Sequence, residues 1–124
     1  MKSLLAVALG GALGSALRWW LSGLVQDWTG SVFPWGTFAV NALGSLLIGF
    51  VAALAFERAL VSPLVRVFVI VGVLGGFTTF SAFSYETVSL LREGQWLAAL
   101  GYAGGSLVIG VVGALAGLAL GLSL

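Results

Sequence analysis

The sequence contains no cysteine and no histidine. Their absence excludes disulfide bonds, thiol chemistry, ordinary zinc sites and the commonest proton relay of enzymes. Charged residues make up only 7% of the chain, whereas a soluble domain carries about 25%. The net charge of +1 leaves no basic surface for nucleic acid. Because no nucleophile–base pair is available without histidine or cysteine, we expect that the protein is not an enzyme.

Apolar residues take up most of the chain instead, at 60% of the sequence and a mean hydropathy of +1.18. A lipid bilayer is therefore the expected surroundings. A spanning helix needs about 20 apolar residues, and four stretches qualify, at about 3–25, 36–56, 65–91 and 96–122. The links between them are short and polar. The sequence predicts an all-α integral membrane protein with a single four-helix transmembrane domain over residues 1–124, multi-pass in the cell inner (plasma) membrane.

The loop charges give little information on orientation. The side that holds both termini would carry Lys2, Arg58 and Arg66, and the other side Arg92, together with Arg18 if that side chain snorkels. Lysine and arginine in short loops normally set the orientation of the chain. A bias this small is either an uninformative signal or a sign that the chain inserts both ways, in which case two copies could pair antiparallel.

Glycine is abundant, with 19 residues in the chain. Small residues let membrane helices approach closely. Gly10 and Gly14 form a GxxxG pair in the first helix, and Gly113, Gly117 and Gly121 repeat that spacing in the fourth. This spacing predicts tight helix packing.

Polar residues form stripes on two helices. In the second helix, Thr37, Asn41 and Ser45 are spaced four residues apart and therefore share one face. Tyr102 and Ser106 have the same spacing in the fourth helix. An amide deep in hydrocarbon needs partners, so Asn41 either clamps a neighbouring helix or faces water.

The stretch "GGFTTFSAFSYE", residues 75–86, is the most polar part of any predicted span. Two glycines followed by two threonines favour a break in the third helix. A broken membrane helix exposes main-chain carbonyls, which suit a small cation such as Na⁺. Irregular backbone at this depth is tolerated only where it is buried in protein or lines a cavity, so the stretch marks the functional centre.

Within this stretch, Phe80 and Phe83 lie on one helix face. An aromatic ring has a positive edge, and ring edges combined with amide and hydroxyl donors favour a small anion. A cation path would instead need rings of Asp or Glu, which this chain lacks.

Two ionisable residues lie inside the predicted spans. Arg18 in the first helix either snorkels to the interface or is buried against a carboxylate or a helix C-terminus. Glu86 is the only carboxylate well inside a span.

The motifs "GGFTTFSAFSYE", "GTFAVNALGSLLIG", "GALGSALRW" and "REGQW" together cover all four helices. In these motifs the chain resembles the small fluoride channels of the Fluc (CrcB-like) family. The resemblance implies a passive, fluoride-selective channel that exports toxic cytoplasmic fluoride. It also implies an antiparallel, dual-topology homodimer with two pores and a structural sodium ion at its centre, held by main-chain carbonyls.

The residues that match the family's fluoride pore are Phe80, Phe83, Asn41, Thr37, Ser106 and Tyr102. The carbonyls of Gly75 and Thr78 match the sodium ligands. Arg18 matches the family's arginine in the first helix, and Glu86 matches a glutamate beside the two phenylalanines. The chain departs from the pattern at Gly110, where other members can carry a hydroxyl.

A proton-coupled exporter of the small multidrug-resistance type is the main alternative, since it also has four helices and dual topology. Such an exporter needs a membrane carboxylate as its shared proton and substrate site, normally in the first helix. Here that helix carries Arg18 and no acid, so Glu86 would have to serve. An accessory subunit without transport activity is a third alternative, although it would not need Asn41 at mid-depth.

Overall fold

The computed structural model describes all residues, 1–124, and contains helices and no strands. Four helical spans are long and apolar enough to cross a membrane: Lys2–Thr29, Trp35–Glu57, Pro63–Arg92 and Trp96–Ser123. The prediction of an all-α protein with four membrane helices is therefore confirmed.

The third span consists of two helices, so we number five in chain order. They are α1 (Lys2–Thr29), α2 (Trp35–Glu57), α3 (residues 63–77), α4 (Phe80–Arg92) and α5 (Trp96–Ser123). Two stretches widen into π-helix, namely Ala53–Glu57 at the end of α2 and Val67–Leu74 within α3. The π-helical part of α3 lies directly before the glycines of the 75–86 stretch.

Local signals in the sequence explain where the helices begin and end. Ser62 caps α3, because its hydroxyl accepts the N–H of Val65, and Pro63 occupies the first helical position. Gly30 ends α1 in the left-handed region with φ 59°, and Gly94 takes φ 75° in the turn between α4 and α5. Glycine adopts this conformation without the penalty that a Cβ imposes.

Two tight helix pairs form the body of the molecule. In the pair of α1 and α3, a Cβ at Gly14 would overlap the carbonyl of Val73, and one at Gly10 would lie 2.5 Å from Phe68 O. In the pair of α2 and α5, a Cβ at Gly117 would overlap the carbonyl of Leu46. The prediction of close packing at the glycine repeats is confirmed, because backbone meets backbone at these positions.

Only 18 of the 124 residues are buried, and most large apolar side chains lie on the outside. Such a surface is stable only in lipid, where the core between helices can be thin. Trp28, Trp35 and Trp96 lie at helix ends on the same side of the molecule and are exposed. They form one aromatic belt of the kind found at membrane interfaces.

A candidate ion-binding groove at the centre of the third span

Two extended residues separate α3 from α4. Thr78 has φ −91° and ψ 159°, and Thr79 has φ −150° and ψ 119°. The N–H and the hydroxyl of Thr78 both donate to Leu74 O, at 3.1 Å each, and so close the last turn of α3. The hydroxyl of Thr79 accepts the N–H of Ala82 at 3.1 Å and caps α4. The two threonines thus supply local partners for Leu74 O and for the N–H of Ala82.

Asn41 of α2 holds this extended segment from the side. Its amide nitrogen donates to Thr79 O at 3.0 Å, and its Oδ1 accepts the N–H of Thr79 at 2.8 Å. The sequence left two alternatives for Asn41, a clamp on a neighbouring helix or exposure to water. In the structure the side chain clamps the third span. Because the amide nitrogen carries two hydrogens, one N–H remains for a further partner.

These contacts redirect the donors of two carbonyls. In an uninterrupted helix, the N–H of Thr79 would donate to Gly75 O and that of Ala82 to Thr78 O. Here the first bonds Asn41 Oδ1 and the second bonds Thr79 Oγ1. The carbonyls of Gly75 and Thr78 therefore lose their usual helical donors within one short stretch of chain.

A groove of about 390 Å³ opens beside the extended segment. It is lined by residues from α2, α3, α4 and α5: Asn41, Gly44, Ser45, Ile48, Ile70, Leu74, Gly75, Thr78, Thr79, Phe80, Phe83, Ser106 and Leu107. Six of the ten residues singled out in the sequence meet here, namely Asn41, Gly75, Thr78, Phe80, Phe83 and Ser106. The groove contains no charged side chain, so any ion in it would meet only neutral groups.

The two phenylalanines differ in their surroundings. Phe80 is 80% exposed, whereas Phe83 is partly buried. Their ring centroids lie 5.7 Å apart, and the Phe83 ring also contacts that of Tyr102 at 5.1 Å. Phe83 therefore packs against the fully buried Tyr102, whereas Phe80 faces outward.

Ser106 of α5 completes the groove on the side opposite α3. Its hydroxyl oxygen is buried and has no hydrogen-bond partner in the chain. A buried polar group normally has a partner. This hydroxyl is therefore free to bond a ligand in the groove.

Two of the other predicted residues line a second cavity of about 530 Å³, nearer the tryptophan-bearing end of the molecule. Thr37 and Glu86 line it, together with residues of α1. The hydroxyl of Tyr102 donates to Glu86 Oε1 at 3.4 Å. Thr37, Tyr102 and Glu86 thus form a polar group about one helical turn away from Asn41 and Ser106.

Arg18 does not snorkel. Its Nε donates to Gly76 O at 3.0 Å, and the residue is partly buried. The guanidinium lies at the C-terminal end of α3, where a cation is stabilised by the helix dipole and by the unpaired carbonyls. Arg18 thus bonds the backbone shortly before the extended segment.

Sequence reasoning did not assign a site role to Thr79 or Ser45. Ser45 was detectable, because it continues the face of α2 that carries Thr37 and Asn41. The contact of Thr79 with Asn41 joins distant parts of the chain, and the sequence carries no local signal for it.

The comparisons with known proteins agree with one another. Residues 5–118 match the family described as CrcB-like protein, Camphor Resistance (CrcB). The fluoride-specific ion channel FluC of Thermus thermophilus is 56% identical over 121 residues, which is 98% of this chain and 96% of that protein. The protein of the same name from Aquifex aeolicus is 49% identical over the full length of both chains. A third, from Opitutus terrae, is 54% identical over 90% of this chain and 86% of its own length.

Four apolar spans and these relatives indicate a multi-pass protein of the plasma membrane. With a family match over nearly its whole length and relatives that are half identical to it, the chain belongs to the CrcB-like family of ion channels.

Proposed function

We propose that this chain is a fluoride-selective passive channel that exports toxic cytoplasmic fluoride. Its relatives bear the name fluoride-specific ion channel. The observation that carries the proposal is the central groove, which combines unpaired neutral donors with two phenyl rings and contains no charged side chain.

The chemistry of the groove suits a small anion that must bind and leave. Asn41 offers its spare N–H and Ser106 an unpaired hydroxyl, both of them neutral donors. The edges of Phe80 and Phe83 add weak contacts of the right sign. A lysine or arginine in the groove would bind fluoride too tightly, because conduction requires weak and multiple contacts. The one arginine nearby, Arg18, is held by Gly76 O.

Thr37 and Tyr102 belong to the same path in this proposal, one turn closer to the tryptophan-bearing end. Glu86 bonds the Tyr102 hydroxyl and so orients that side chain. A proton-coupled exporter would instead need Glu86 as its shared proton and substrate site.

The functional unit in this proposal is an antiparallel homodimer with two pores. The groove is open along the side where Phe80 is 80% exposed, and a second copy would close it. The small bias of the loop charges permits both orientations in one membrane.

A structural sodium ion at the dimer centre, bound by the carbonyls of Gly75 and Thr78, is part of the proposal. Both have lost their usual helical donors, and Gly75 is exposed. Two carbonyls from each of two copies would supply four neutral oxygen ligands, the kind that unwound membrane helices offer to Na⁺. When bound, the ion would join the two chains where they approach.

Replacing the rings tests the pore. We expect that Phe80→Ile and Phe83→Ile each lower fluoride efflux from liposomes about tenfold or more, because isoleucine keeps the apolar bulk but lacks a positive ring edge. Phe56→Ile serves as a matched control, since Phe56 lies at the end of α2 away from the groove. Size-exclusion elution should be unchanged for all three variants. Wild-type fluoride efflux in both groove variants would show that the rings only contribute to packing and do not contact the ion.

Removing sodium tests the proposed ion site. We expect that exhaustive replacement of Na⁺ by an organic cation weakens the dimer and lowers fluoride efflux. Thr78→Ser should retain most activity, because the ligand is the main-chain carbonyl. Gly75→Leu should impair assembly, because the larger side chain would stand where the second copy approaches. Within one chain there is room for it, since a Cβ at Gly75 would lie 3.7 Å from its nearest neighbour, Ile70 O. Dimer and fluoride flux that persist without Na⁺ would show that the site is wrongly assigned.

A reporter of membrane topology tests the antiparallel dimer. We expect that a compartment-sensitive reporter fused to the C-terminus gives signal from both sides of the membrane, because the Lys/Arg bias is small. Two or three added lysines in the loop around Arg58 should shift the chain to one orientation and lower fluoride efflux. A signal from one side alone in the unmodified chain would exclude the antiparallel arrangement.

A further inference from the structure

The polar face that Tyr102 and Ser106 form on α5 ends at Ser106. Tyr102 and Ser106 are four residues apart, and the next position on the same face is Gly110, which has no side chain. An ion that leaves the Ser106 hydroxyl in this direction would find no donor on α5. Several other lining residues of the groove are apolar, namely Ile48, Ile70, Leu74 and Leu107.

Ser45 of α2 lies in the space beside Gly110. It lines the groove one turn beyond Asn41. Its hydroxyl oxygen lies 3.5 Å from the point where a Cβ on Gly110 would stand. The hydroxyl that α5 lacks at this level is therefore present on the facing helix.

The Ser45 hydroxyl is also uncommitted. A Ser or Thr in a membrane helix usually bonds a carbonyl of its own helix, as Thr78, Ser84 and Thr87 do here with the carbonyl four residues earlier. Ser45 makes no such bond. Ser45 and Ser106 thus both line the groove with hydroxyls that donate to no other group of the chain.

We propose that the Ser45 hydroxyl coordinates fluoride directly, as the step that follows Asn41 and Ser106, so that the polar path crosses from α5 to α2 at the level of Gly110. The inference rests on the proposed channel function and adds a permeation residue to it. Gly110 is then the small residue that leaves room for an ion beside Ser45.

The test removes the hydroxyl and then restores it from the facing helix. We expect that Ser45→Ala lowers fluoride efflux from liposomes about tenfold, which corresponds to one lost hydrogen bond to a charged group. Ser45→Thr should keep most of the efflux, because the donor remains. Adding Gly110→Ser to Ser45→Ala should restore efflux to within about threefold of wild type, since the new hydroxyl would occupy the same space.

Ser123→Ala is the matched control, because that hydroxyl bonds Leu120 O at the end of α5, away from the groove. Wild-type efflux in Ser45→Ala would overturn the assignment of Ser45 and leave the channel function intact. A loss of efflux that Gly110→Ser does not restore would also overturn it, since the serine would then only support packing. Absence of fluoride efflux from the wild-type protein would instead overturn the channel function itself.

Discussion

The pair of hydrogen bonds between Asn41 and Thr79 is the interaction on which the rest of the site depends. One side chain accepts from and donates to the same residue, at 2.8 and 3.0 Å. It therefore replaces, from a neighbouring helix, the main-chain partners that Thr79 would have in an uninterrupted helix. In hydrocarbon, where no water can satisfy an open N–H or C=O, an extended segment survives only with such a substitute.

Several features follow from this replacement of main-chain partners by the Asn41 side chain. The carbonyl of Gly75 loses its helical donor because the Thr79 N–H is engaged by Asn41. The Thr79 hydroxyl is in turn free to cap α4, which sets the direction of the helix that carries Phe80 and Phe83. Arg18 bonds Gly76 O just before the segment. A neutral amide thus holds Thr79 and a cation holds Gly76, while the groove itself has no charged lining residue.

Hydropathy and the glycine spacing predict much of the fold. The four spans can be read from apolar length, and the close approach at Gly14 and Gly117 from the repeats. The polar stripe also identified Asn41, since a deep amide requires partners. The identity of those partners could not be predicted, because they depend on how α2 packs against the third span. The same holds for Arg18, whose carbonyl partner is 58 residues away. The π-helical turns have no sequence signature that would have revealed them.

Six of the ten predicted site residues meet in one groove, and the other four lie outside it. Thr37 and Glu86 line a separate cavity, and Tyr102 joins the two regions through its ring contact with Phe83 and its hydroxyl bond to Glu86. The polar stripes with a four-residue spacing on α2 and α5 explain why the predicted residues spread over both cavities. Each stripe places its polar groups about 6 Å apart along the helix, and in the proposed function the two stripes together line the route of the ion.

The most direct test of the central claim is fluoride efflux from liposomes that contain the Asn41→Asp variant. Aspartate keeps an acceptor for the Thr79 N–H, but it has no N–H for Thr79 O or for an anion, and it adds a negative charge to the path. We predict that this variant, compared with wild type, conducts no measurable fluoride. Efflux at the wild-type rate would contradict the claim that a neutral amide at this position both holds the extended segment and lines the path of the ion.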